Sequence, residues 1–90
     1  MNESLYKWAW SKNGLNAITK LVLLGICHHV SDGETEAHVK FNKLADHVNL
    51  TTQTLKLHLN NLKSLNFLEY EVYFIEDEGN FVRLRVNGGK

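Results

Sequence analysis

The side chains best suited to binding a metal or moving a proton are five histidines, His28, His29, His38, His47 and His58, together with the single Cys27. A helical metal clip needs ligands four residues apart on one face, whereas His28 and His29 are adjacent and point about 100° apart. The chain has no cysteine pair, no His-Glu-x-x-His string and no glycine-rich phosphate loop. His29 and His58 fall on or beside apolar stretches, the setting of a hydrogen-bonded core imidazole. Glu69 and Glu71 resemble a carboxylate pair, but they alternate along a strand-like run in which Arg83 and Arg85 are simple partners. The spacing argues against catalytic residues, a metal site or a bound cofactor. What remains is a polar set, Thr51, Thr52, Gln53, Lys56, Asn60 and Lys63, with Leu57 among them.

These residues sit in a stretch that reads as helix, tight turn, helix, stop. Leu44, Ala45 and Val48 make one apolar face of a short helix, Asn49 suits the left-handed residue of a sharp turn, and Thr51 is a fresh N-cap. The second helix covers residues 52–65. Leu55, Leu59, Leu62 and Leu65 share one side of it, while Gln53, Lys56, Leu57, Asn60 and Ser64 share the other. Asn66 stands where an αL residue ends a helix.

Upstream, residues 1–10 are aromatic-rich and predict a short helix or arm packed on the core, or alternatively an arm that reaches a partner subunit, with Trp8 and Trp10 turned inward or across a dimer. Residues 11–14 form a turn, and residues 15–30 a helix apolar nearly all round, with Leu15, Ile18, Val22, Ile26 and Val30 as a stripe. Its apolarity predicts burial on most sides. Residues 37–41 form a short strand with Val39 and Phe41 on one face. Downstream, residues 67–75 and 81–87 alternate and predict a hairpin. A loop of Asp77, Glu78 and Gly79 sets Glu76 against Asn80, Phe74 against Val82, Val72 against Leu84, Tyr70 against Val86, Glu71 against Arg85 and Tyr73 against Arg83.

Two tightly joined helices followed by a hairpin resemble the winged helix-turn-helix. The string LTTQTLKLHLNNLKSLNFL is similar to the motif in which a capping Ser or Thr, an inner threonine and helically spaced leucines lead to a stop, with Asn66 in the usual place of glycine. KLVLLGICHHVSDG resembles the opening of the helix-turn-helix domains of phage and plasmid replication initiators. The resemblance implies an α+β fold, mainly helical with a small antiparallel sheet. It also implies sequence-specific binding of double-stranded DNA, at a replication origin of a phage, plasmid or other mobile element in a bacterial cytoplasm, by a homodimer.

In that arrangement Gln53 pairs bidentately with adenine and Leu57 packs on a thymine methyl. Thr51, Thr52, Lys56, Asn60 and Lys63 reach phosphates or neighbouring bases, and Arg83 offers a phosphate contact from the hairpin. The family commonly places arginines where this chain has Thr52, Gln53, Leu57 and Asn60. Its hairpin tip is Glu76, Asp77, Glu78 and Gly79, and acid there repels phosphate. Structural pairing of Arg83 and Arg85 with Glu71 and Glu69, and stacking on Tyr73, is the other reading of the two arginines. A protein-binding winged helix, in an assembly or on a host factor, and a small transcriptional repressor are the alternative functions.

Composition sets the bounds. Ninety residues with 43% apolar content predict one domain over residues 1–87, with residues 88–90 a tail or the start of a linker. A chain of this size buries roughly 60–65% of its unfolded surface. One cysteine excludes an internal disulfide and suits a buried thiol in a reducing cytosol. No apolar run has the length of a membrane span. Ten basic and ten acidic residues cancel, so attraction to phosphate depends on a local positive face.

Overall fold

The computed structural model describes residues 2–88. Four helices and three strands follow in the order α1 (Glu3–Trp10), α2 (Ala17–His29), β1 (Glu36–Lys40), α3 (Phe41–His47), α4 (Thr52–Ser64), β2 (Leu68–Ile75) and β3 (Gly79–Val86). The strands form one antiparallel sheet ordered β1-β3-β2. This is the expected α+β class, with the expected order of elements.

Side-chain caps explain where α1, α2 and α4 start, while α3, which follows β1 directly at Lys40, has none. Asn2, Asn16 and Thr51 each accept the N–H three residues on, that of Leu5, Thr19 and Thr54 respectively. Asn2 is buried, and its amide also donates to the carbonyls of Ser31 and Glu34, tying the start of the chain to the loop before β1. At the other end of α1, the Lys20 ammonium donates to the carbonyls of Ala9, Trp10 and Lys12 at 3.2, 2.9 and 2.5 Å. A cation at a helix C-terminus satisfies carbonyls that have no intrahelical donor. This is why the one charge of α2 points at α1.

Helices α3 and α4 end in the same way. Asn49 and Asn66 have φ of 59° and 63°. The next residues, Leu50 and Phe67, donate back to Ala45 and Leu62 at 2.9 and 3.0 Å, while Asn49 and Asn66 donate to Asp46 and Lys63. Each is a Schellman stop whose left-handed residue is asparagine.

The core is built from Leu5 and Ala9 of α1, Val22, Leu23, Ile26 and Cys27 of α2, Leu44 and Ala45 of α3, Leu55, Leu59 and Leu62 of α4, and the inward residues of the sheet, with Val82, Leu84 and Leu68 sealed completely. Gly25 lets α2 approach the α3–α4 turn, since a Cβ there would lie 2.7 Å from a Val48 methyl.

Several expectations need correction. Helix α2 is buried on most sides, with Thr19, Val22, Leu23, Gly25, Ile26 and Cys27 sealed among α1, α3, α4 and β1, but Ile18, placed on its apolar stripe, and Leu21 are about half exposed on the remaining side. Leu65 is outside the leucine ladder, exposed at the C-cap where the chain turns away. Phe41 is the first residue of α3 rather than the last of β1. Trp8 anchors α1 edge-on against Phe67, with centroids 6.0 Å apart, but Trp10 points to solvent. Gly88, read as tail, is buried against the Trp8 indole, where any Cβ would collide.

The hairpin register differs too. Ile75 pairs with Gly79, Val72 with Val82, Tyr70 with Leu84, Glu71 with Arg83 and Glu69 with Arg85. The loop is Glu76, Asp77 and Glu78, closed by the Glu78 N–H on the Ile75 carbonyl, with positive φ at Asp77 and Gly79. Gly79 has the expected positive φ, but Asp77 adopts one as well, and Gly79 joins the ladder opposite Ile75. Each partner moves by two residues, which preserves the faces: Leu68 meets Val86, Tyr70 meets Leu84 and Val72 meets Val82, while Phe74 now faces Asn80.

Candidate nucleic-acid interface

Helix α4 is held from below by Leu55, Leu59 and Leu62, all at 0% exposure, and from its flank by Thr19, whose hydroxyl lies 2.9 Å from His58 Nδ1. That anchorage leaves Thr52, Gln53, Lys56, Leu57, Asn60 and Lys63 outward and exposed. Leu57 is 69% exposed, a large apolar side chain at the centre of a polar face. No carboxylate occurs between Asp46 and Glu69, whereas Lys56 and Lys63 lie within that interval. Helix α4 itself thus carries two lysines and no carboxylate, although Glu78 borders Thr52 at one end and Glu36, Glu69 and Glu71 share a cleft with Lys63 at the other.

The eight residues singled out from sequence do not form one group. Thr51 is occupied by capping: its hydroxyl accepts the Thr54 N–H and donates to the Thr54 hydroxyl. Asn60 accepts a hydrogen bond from the Tyr70 hydroxyl, and the Lys63 ammonium lies 5.8 Å from the Tyr70 ring centroid. Burial pushes the Tyr70 phenol above its ordinary range. These two residues fasten α4 to β2, so their side chains are committed to the fold as well as presented outward. Thr52, Gln53, Lys56 and Leu57 are the continuous exposed set.

Arg83 shares a cleft with Lys63 at the end of α4, and with Glu36, Glu69, Glu71 and Arg85. It is on the outer face of the sheet, 3.3 Å from Glu71, beside Arg85 and its partner Glu69. Tyr73 stacks on Phe81, with centroids 5.8 Å apart, rather than on an arginine. The outer face is a ladder of triplets across the three strands: Glu36, Arg85 and Glu69; His38, Arg83 and Glu71; Lys40, Phe81 and Tyr73. In the first two triplets each arginine is matched by carboxylate, which leaves little charge for phosphate.

The tip of the β2–β3 hairpin borders α4 closely enough that Glu78, Gly79 and Asn80 share a cleft with Asn42 and Thr52. Glu76, Asp77 and Glu78 are exposed there. Phe74, on the same hairpin, is 68% exposed.

Sequence reasoning missed one cluster. His28 and His29 meet His47 across the α2–α3 junction, a contact between elements that helical spacing within α2 does not reveal. Among the described residues no three His, Cys, Asp or Glu side chains are placed to hold a metal ion. No helix there is long and apolar enough to cross a membrane. Cys27 is buried, and burial pushes its thiol up to about 12.

Comparison with protein families, with characterised proteins and with solved structures finds no match.

Proposed function

We propose that the chain is a winged-helix domain that binds double-stranded DNA through α4. The observation that carries this reading is the exposed face of a firmly seated helix that itself bears no carboxylate, with Gln53, Lys56 and Leu57 outward and Leu55, Leu59 and Leu62 buried beneath. A helix of this length fits a major groove. Its first N–H groups, at Thr52 and Gln53, lack intrahelical acceptors and favour a phosphate. Gln53 offers the donor and acceptor pair that matches adenine, Leu57 an apolar contact for a thymine methyl, and Lys56 a phosphate contact.

Within this reading the resemblance to replication initiators suggests origin binding on a phage, plasmid or other mobile element, by a homodimer on repeated half-sites. Arg83 is removed from the contact set because Glu71 neutralises it. Glu78 beside Thr52 opposes phosphate at one end of α4, which limits non-specific affinity and leaves discrimination to Gln53 and Leu57.

A second reading, a protein-binding winged helix, is favoured by the acidic tip together with exposed Leu57 and Phe74. Electrostatic complementarity makes its partner basic. Glu78→Lys separates the two: DNA affinity rises if α4 reads DNA, and a basic partner is lost if the tip recognises protein. An unchanged affinity for either would remove the role assigned to the tip.

A further inference from the structure

We propose that His28, His29 and His47 form an acid-sensitive latch, which holds the end of α2 to the end of α3 while uncharged and releases it on protonation. The three ring centroids lie 5.6, 5.1 and 5.1 Å apart for the pairs 28–29, 28–47 and 29–47. His29 Nε2 and His47 Nδ1 are 3.1 Å apart. An N–H···N bond at this distance needs one ring to present a lone pair; a first proton on the donor ring's outer nitrogen keeps the bond, and a second, at the accepting nitrogen, makes both rings donors and breaks it. Two imidazolium rings at such separation also repel, with His28 as a third.

Among the described residues no carboxylate forms an ion pair with these rings. From α1, Tyr6 brings a hydroxyl 3.4 Å from His28 Nδ1, its charged residues Glu3 and Lys7 pair with each other, and the Cys27 thiol of α2 points away at the Leu5 carbonyl. Lys43 and Asp46 belong to α3 with His47, and Asp32 follows α2. From β1 and α4, which also pack on α2, His38 is bonded to Tyr73 and His58 to Thr19, while Glu36, Lys40, Lys56 and Lys63 are the charged residues of those elements. The negative ends of α2 and α3 meet here and offset part of the repulsion. Burial, then His47 and His28, hold His29 below its ordinary 6.5.

The sign follows from linkage. As pH falls below 6.5 the unfolded chain takes up the proton at His29 first. The stability due to its neutral form is therefore complete above 6.5 and is lost as pH falls through the folded value. Release at this junction loosens α3, and with it the turn that sets α4.

The test is a histidine-ring NMR titration of the intact chain from pH 8 to 5, with melting temperatures for the wild type, His29→Gln, His47→Gln and the distant control His38→Gln. The latch predicts that His29 titrates below 6.5 and that the wild-type melting temperature falls by about 4 °C or more. That fall is at least halved in His29→Gln and His47→Gln and kept in His38→Gln. A His29 titration at or above 6.5, or equal falls in all four proteins, would overturn it. If a cluster variant does not fold, amide exchange at Val48 in the wild type decides: protection lost below pH 6, after correction for intrinsic rate, supports the latch, and unchanged protection refutes it. None of these readouts involves DNA.

Discussion

The Tyr70 hydroxyl donates a hydrogen bond to the side-chain carbonyl of Asn60, joining the edge strand β2 to the middle of α4. A helix fixed at its apolar base alone could still tilt, and this bond holds it at its rim. Tyr70→Phe should lower unfolding free energy by about 1 kcal/mol in urea titration. In a spectrophotometric titration the wild-type chain should show one tyrosine ionising above the usual range, and Tyr70→Phe should remove that late step. Loss of a different step would assign the shifted phenol elsewhere.

The two asparagine stops make paired predictions. A left-handed conformation costs a residue with a Cβ about 1–2 kcal/mol, less for asparagine and nothing for glycine. Asn66→Ala and Asn49→Ala should each destabilise by roughly 1 kcal/mol, while Asn66→Gly should be neutral or slightly stabilising. Equal losses for alanine and glycine would show that the side chains, not the backbone, matter there.

Much of this architecture was legible because local rules and burial agreed. Thr51 as cap, Asn49 and Asn66 as stops, and the leucines at 55, 59 and 62 each had one sensible role. The misses arose where two readings satisfied the same rule. Gly79 and Asp77 both suit a left-handed turn position, and either choice keeps the strand faces, so alternation could not fix the register. Ile18 and Leu21 are apolar yet exposed, since hydrophobicity shows what can be buried and not which neighbours arrive. The His28, His29 and His47 cluster depends on how α3 docks against α2, and a sequence carries no periodicity for that. At the candidate interface, the outward residues of α4 were readable, whereas the bond from Tyr70 to Asn60 and the placing of Arg83 on the outer sheet face needed the hairpin position.

Gly25 tests the seating of the α3–α4 turn on α2. Alanine there gains helix propensity of about 1 kcal/mol, but its methyl meets a stiff Val48 side chain at 2.7 Å, an overpacking that costs typically 1–3 kcal/mol. Gly25→Ala should be destabilising by calorimetry, and adding Val48→Ala should recover part of the helix gain, giving a non-additive cycle. Simple additivity would mean that the two residues are not in contact.

Cys27 should be inert in the folded chain. With its thiol pushed up to about 12 by burial, the thiolate needed for alkylation is scarce at pH 8. Modification by a maleimide should be slow in buffer and rapid in denaturant. Fast labelling of the native chain would show that α1 opens readily from α2.

The central claim, that α4 binds duplex DNA, is tested most directly by fluorescence anisotropy with duplex from the protein's own genetic neighbourhood, beside a scrambled duplex, at 50 and 200 mM salt. The account predicts preference for the native duplex and affinity falling about tenfold or more across that range, as expected for two to three phosphate contacts. Lys56→Glu should weaken binding to both duplexes and flatten the salt dependence by about one contact, and Gln53→Ala should erase the preference between them. Binding that is absent at 50 mM salt, or that is indifferent to Lys56→Glu and Gln53→Ala, would contradict it.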